Sequence, residues 1–398
     1  MSAIQYSPVP IEKIRAGSPL PVDVFVLINK KYICFRYAGD DISSQRLNSF
    51  FALRHSTLYV MAEHFDSFMN WVVEQKEKLV AASVAIVGKE NEDIVNMHLA
   101  TEEKIFQVFL DEELDEEKVT VLQNQTESFV AAMKKRKGLI ELFTNMLSFN
   151  SSIAHHSTNV AALSVFLGMS CGHSHPLILE NLYFAGLFHD YGKIKIHPTV
   201  LENPSSSQYK SAMLTHPENS VKYVKSIAEN FSIQDSVVTI IEQHHEWFNG
   251  LGYPKGLKGK SIYELARVFS IANAFDTRMA QEETKNAKTY ARVIKQFIFD
   301  KGKEFDPVIV TRCMEALVLA FSGEKIATAR ENIQIKTGEI DILKIAEEAN
   351  DEDLLALAHA LNEDFESAGE KSQEAVGAAE EGEEEMSEKD LDRMLEQA

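Results

Sequence analysis

The chain has 398 residues, 45% of them hydrophobic, with 60 acidic against 40 basic side chains for a formal charge of −20. That length suits two or three domains with real cores, and the net charge excludes general electrostatic affinity for long nucleic acid. No apolar run of about 18 residues appears, so no membrane span is expected, and the first residues lack the basic-then-apolar pattern of a secretory leader. Cys34, Cys171 and Cys313 are isolated and odd in number, which argues against a disulfide framework and for a reducing cytoplasm.

Residues 1–75 read as a small α/β module. "VDVFVLINKKYICFRYAGD" is rich in Val, Ile, Phe and Tyr with a polar break at Asn29–Lys31, which predicts a hairpin. "ISSQRLNSFF" predicts a short helix and "TLYVM" a third strand. Residues 76–137 carry apolar side chains at three- and four-residue spacing, the mark of helices. They suit a linker, a dimer seam or a bundle packed on the next domain. Residues 138–350 read as nearly all helix, punctuated by turn signals at "ENPSSS", "NGLGYPKGLKG" and "FDP". Residues 351–398 form an acidic tail with seventeen acidic and three basic residues. Its middle is expected to be disordered, and Ser387 is placed to cap a short terminal helix suited to a partner groove.

The helical domain holds a set of histidines. His156 lies in "IAHHSTNVAALSVFLG", His189 and Asp190 in "AGLFHDYGKI", His216 in "LTHPENSV", and His244 and His245 open "HHEWFNGLGYP". Any one of them alone is more simply a satisfied core or surface residue. Five imidazoles and a carboxylate interrupting apolar helical faces point instead to a metal of the Fe, Mn, Zn or Ni kind. Adjacent helical residues diverge by about 100°, so His244 and His245 suit one ion and its surroundings, or two neighbouring ions. Asp190 is the natural bridge, because one carboxylate spans a metal pair about 3.5–4 Å apart.

These motifs, in this order and over roughly residues 145–325, resemble the HD-GYP family of HD metal-dependent phosphohydrolases. The resemblance implies an all-helical domain, two or three metal ions (iron or manganese), and hydrolysis of cyclic di-GMP to the linear dinucleotide or GMP by a metal-bridging hydroxide. It assigns His156, His189, Asp190, His216, His244 and His245 to the metals, with Asp190 and Lys193 catalytic. Lys193 corresponds to the lysine at the scissile phosphate, and Gly252, Tyr253 and Pro254 to the loop beside the nucleotide. Lys285 remains as a phosphate contact.

Three positions depart from the family pattern. Asn273 stands where the last metal-ligating aspartate is expected, and Asp276, one turn on, more simply keeps a structural place. Ser152 replaces a glutamate associated with a third ion, so two ions are expected. Glu282 stands near the position where the family carries a phosphate-gripping arginine. The alternative function is therefore a degenerate, non-catalytic sensor or protein-interaction module; a third reading is a hydrolase of another phosphate ester. The expected partners are a cyclic dinucleotide, a protein met by the acidic tail, and a second copy in a homodimer. The expected location is the cytoplasm.

Overall fold

The computed structural model describes residues 4–321, except residues 15, 44–45, 48–49, 51–56, 112–115, 136–152, 202, 229–232 and 283–286. The acidic tail and the terminal helix expected there therefore lie outside the described residues, as do five of the ten residues of the short helix expected at 42–51.

Four strands form an antiparallel sheet: β1 (Tyr6–Pro10), β2 (Val24–Ile28), β3 (Lys31–Arg36) and β4 (Thr57–Met61), in the order β1-β4-β2-β3. The predicted hairpin is β2–β3. Its two-residue loop places Asn29 and Lys30 at φ 49° and 61°, the primed-turn geometry that matches strand twist. β1 was not expected, because Pro8 and Pro10 interrupt its pattern. It is an edge strand, where missing amide donors are tolerated. One face buries Val9, Val24, Leu58 and Val60. Elsewhere Tyr6 stacks on Tyr32 at 4.0 Å, and Tyr32 meets Tyr59 edge-on at 5.0 Å.

Three long helices follow: α1 (Phe65–Val87), α2 (Glu92–Asp111) and α3 (Glu116–Lys135). The helical domain then runs through α4 (Ile153–Ser170), α5 (Pro176–Phe188), α6 (Ser207–Ala228), α7 (Asp235–Gln243), α8 (Glu264–Ala280), α9 (Ala287–Phe299) and α10 (Pro307–Phe321). The helices of the 76–137 segment pack on the next domain. Phe129 of α3 lies 4.7 Å from Tyr183 of α5, and Phe109 of α2 lies 5.4 Å from Tyr191. One hydrophobic core runs from Val9 to Ala320.

Close helix contact positions the site. A Cβ on Gly186 of α5 would fall 2.3 Å from the Ala161 Cα of α4, so only glycine permits this approach. The "FDP" turn fastens α10: Asp306 accepts the amides of Val308 and Ile309 at 2.8 and 3.1 Å and pairs with Arg267 of α8. Arg278 of α8 pairs with Glu304 at 2.8 Å and Asp300 at 3.1 Å beneath the Phe297 ring. Among the described residues no helix is long and apolar enough to cross a membrane.

Candidate metal centre

Helix ends aim the imidazoles. His189 follows the last residue of α5 and His244 the last residue of α7, where carbonyls lack intrahelical partners. Each donates Nδ1–H to the carbonyl three residues back: His189 to Gly186 at 2.8 Å and His244 to Ile241 at 2.7 Å. His216 does the same within α6, to Met213 at 2.6 Å. Pro217 follows it and has no amide for the Met213 carbonyl four residues earlier. The His216 ring satisfies the carbonyl that the proline leaves open. His156, in the first turn of α4, directs Nδ1 to Asp276 Oδ2 at 2.7 Å.

With Nδ1 protonated in all four rings, each Nε2 presents a bare lone pair. The tautomers follow from these partners. Yet His156 Nε2 and His189 Nε2 face each other at 3.3 Å, and so do His216 Nε2 and His244 Nε2. Two lone pairs at that distance repel unless a cation lies among them.

Two donor groups result: His156, His189 and Asp190, and His216, His244 and His245, with ligand atoms in each group within 4.8 Å of one another. Asp190 touches both. Its Oδ2 lies 3.7 Å from His156 Nε2 and 3.5 Å from His189 Nε2, and its Oδ1 lies 3.3 Å from His216 Nε2. Lys193 Nζ completes the cluster at 3.0 Å from Oδ2. Asp190 Oδ1, His245 Nε2 and the Asn273 amide oxygen are buried without a hydrogen-bond partner. Orphaned buried acceptors of this kind need a cation or donor, so the donor set fits a pair of divalent ions.

Electrostatics favour the ligating forms. Burial pushes His189 down to about 4 and holds His216 below the usual histidine range. Burial, then neighbouring imidazoles, holds His244 and His245 well below it. For Asp190 burial works upward, but the charges of His189 and Lys193 and the contact with His216 prevail, leaving it well below the carboxylate range.

Residues that sequence reading passed over, or left in a structural place, hold this frame. Ser220 Oγ donates to the His189 carbonyl at 2.6 Å and accepts the Gly192 amide at 2.7 Å, fixing the His189–Asp190 turn. Asp276 holds His156 and also accepts Asn159 Nδ2 at 2.9 Å on Oδ1. Behind it, α2 contributes His98 and Glu102; Glu102 lies 3.5 Å from His155 Nδ1. Glu246 is buried, and its two carboxylate oxygens accept the amides of Lys255 and Leu257 at 2.7 and 2.8 Å.

That carboxylate shapes the loop carrying Gly252, Tyr253 and Pro254. Tyr253 stacks on His245 at 4.7 Å, and its amide donates to the His245 carbonyl at 3.0 Å. A Cβ on Gly252 would fall 2.1 Å from the Trp247 nitrogen. Glycine is therefore required where the loop folds back on the histidine pair. The Tyr253 hydroxyl is pushed well above its usual range, by burial first and then by the Asp190 charge.

The departures resolve unevenly. Asn273 is buried, as the position it replaces implies. Glu282 forms an ion pair with Arg292 of α9, which answers its charge locally. Ser152 and Lys285 lie outside the described residues.

The HD domain family model matches residues 130–309. A cyclic di-GMP phosphodiesterase response regulator of Xanthomonas campestris is 30% identical over 136 residues, 34% of this chain and 34% of that protein. A cyclic di-GMP phosphodiesterase of Thermotoga maritima is 26% identical over 195 residues, 48% of this chain and 53% of that protein. A 3'3'-cGAMP-specific phosphodiesterase of Vibrio cholerae is 29% identical over 133 residues, 33% of this chain and 25% of that protein. The chain thus spans between a quarter and about half of these relatives' lengths. In fold it is similar to an HD-GYP-type protein of Bdellovibrio bacteriovorus, with TM-score 0.54 and 21% identity over 79% of this chain and 99% of that one. Residues 130–309 thus match an HD domain, and the HD turn and the Gly-Tyr-Pro loop folded onto paired histidines resemble those of HD-GYP proteins.

Proposed function

We propose that this protein is a metal-dependent phosphodiesterase that opens a cyclic dinucleotide, cyclic di-GMP first among them, to its linear form or to GMP. One observation carries the reading: two trios of buried donors share one carboxylate, and imidazole lone pairs face each other at 3.3 Å. In this reading His156, His189 and Asp190 would hold one ion and His216, His244 and His245 the other, with Asp190 in reach of both trios. Two divalent ions there, iron or manganese by donor chemistry, supply Lewis acidity toward phosphoryl oxygens and an activated water.

The chain's own groups do the rest. Lys193, held by Asp190, is placed to meet negative charge gathering on the phosphoryl oxygens. Tyr253, clamped on His245 with Gly252 and Pro254, forms one wall beside the histidine pair. The cyclic dinucleotides that the relatives' names give as substrates support the substrate class.

The test is turnover. Protein loaded anaerobically with iron or manganese is given cyclic di-GMP, cyclic GMP-AMP and a linear dinucleotide, and the products are separated. Linear product from a cyclic substrate is expected, with Lys193→Ala slower by about 10²-fold, the scale of one lost transition-state donor. No turnover of any substrate at full metal occupancy overturns the proposal.

A second reading is a non-catalytic sensor, and Asn273 favours it: a buried amide oxygen without a partner stands where a charged ligand is expected. Asn273→Asp separates the two. Activity gained only in that variant supports the sensor; a wild type already fast supports the enzyme.

A further inference from the structure

Away from the histidine pocket, two thiols meet. Cys171 directly follows α4, and Cys313 lies within α10. Their Sγ atoms are 3.7 Å apart although 142 positions separate them in the chain. Cys313 is fully buried, whereas Cys171 is half-buried at the margin of the same core. Cys34 sits on β3 with its thiol toward the Arg36 carbonyl and takes no part.

We propose that Cys171 and Cys313 form an oxidisable dithiol, a modification site where a peroxide-class oxidant closes an intrachain disulfide between α4 and α10. The isolated cysteines of the sequence argue against a structural disulfide framework; the fold turns two of them into a pair. A disulfide holds its sulfurs about 2.05 Å apart, so the thiols sit in contact and unbonded, needing an approach of about 1.7 Å. Cys171 lies at a helix end, with Gly172 next at φ 99°, where the backbone can absorb such a shift.

Access is asymmetric. Cys171 is half-buried and Cys313 fully buried, the asymmetry of an attacking and a resolving thiol. The hydrogen bond from Cys313 lowers the Cys171 thiol from its usual range; burial opposes this, and the nearby Arg312 guanidinium assists it. A lowered thiol is the more readily oxidised one.

The chemistry balances. The Cys171 thiolate attacks one peroxide oxygen, the O–O bond breaks, and the departing hydroxide takes up the thiol's proton as water. Cys171 is then a sulfenic acid. The Cys313 sulfur attacks Cys171 Sγ, the S–O bond breaks, and hydroxide leaves with the Cys313 proton as a second water. Two thiols and one peroxide give one disulfide and two waters, with two electrons passing from sulfur to oxygen.

The bridge would tie the helix that carries His156 in its first turn to the helix fastened by Asp306. His156 lies fifteen residues from Cys171, roughly 22 Å along the helix axis, so oxidation leaves the ligand set intact and acts on the frame.

The test uses the full chain carrying Cys34→Ser, treated with hydrogen peroxide, then alkylated and digested without reductant. Expected are loss of both remaining thiols, a peptide joining Cys171 to Cys313 in monomeric protein, and reversal by dithiothreitol. The oxidised form is also expected to unfold at higher temperature than the reduced form, a shift absent when Cys171→Ser is added. Folded protein that keeps both thiols, or that carries Cys171 to sulfinic acid without the joined peptide, overturns the proposal.

Discussion

An imidazole ligates best when its other nitrogen is held, and in this site the holders are of two kinds. Main-chain carbonyls hold His189, His216 and His244, while the Asp276 carboxylate holds His156. Asp276→Asn replaces a charged acceptor with an amide. The expected result is a 10- to 100-fold loss of affinity at the His156 half, read by competition with a metal chelator, while the other half keeps its ion. Unchanged affinity for both ions would refute that role. The imidazoles were legible in the sequence because their motifs are contiguous. The role of Asp276 was not, because its partner lies 120 positions away. The pairing of Glu282 was not legible either, because Arg292 answers it from a helix whose placement only the fold reveals.

The elements that matter most are turns. Glu246 gathers two main-chain amides of the Gly-Tyr-Pro loop, and the main chain at Phe248 and Asn249 donates to the Glu304 and Lys303 carbonyls at 3.0 and 2.8 Å. Glu246→Ala leaves the Lys255 and Leu257 amides without their acceptor. An expected cost of about 2 kcal/mol follows from charged hydrogen bonds, measured as a lower urea midpoint. If the loop walls the substrate, KM should rise more than kcat falls. A loop unchanged toward limited proteolysis would contradict the assignment. Turn signals in the sequence located this loop, since "NGLGYPKGLKG" is dense in glycine. The carboxylate that organises it sat inside "HHEWF", with nothing local to mark its targets nine and eleven residues on. Strand β1 was illegible for another reason: its prolines break the pattern, and only an edge position excuses them.

Across the whole molecule, sheet, connecting helices and helical domain share one core. Lys13 of the N-terminal module pairs with Glu103 of α2, beside the Glu102 that faces His155. Periodicity predicted those helices but left open whether they bridge, dimerise or pack, because an apolar stripe does not name its partner. The shared core also sets an acid limit. His98 and His189 are both pushed down to about 4, by burial first. At pH 5 each is neutral in the fold, while the unfolded chain, with its histidines near 6.5, takes up protons. The unfolded state then binds more protons, so stability falls as pH drops through the window from 6.5 to about 4. Each group accounts for about 3 kcal/mol across that window. In metal-free protein, urea midpoints should fall steadily over this range, and His98→Gln should flatten the slope by up to one proton. A midpoint flat from pH 6.5 to 4.5 would contradict it.

The central claim is that facing imidazole lone pairs and one shared carboxylate mark a two-ion centre. Its most direct measurement is elemental analysis of anaerobically purified protein, beside an Asp190→Asn variant shown to be folded. The account predicts two transition-metal ions per chain in the native protein and a marked loss in the variant. Native protein holding less than one ion per chain after exposure to saturating iron and manganese would contradict it.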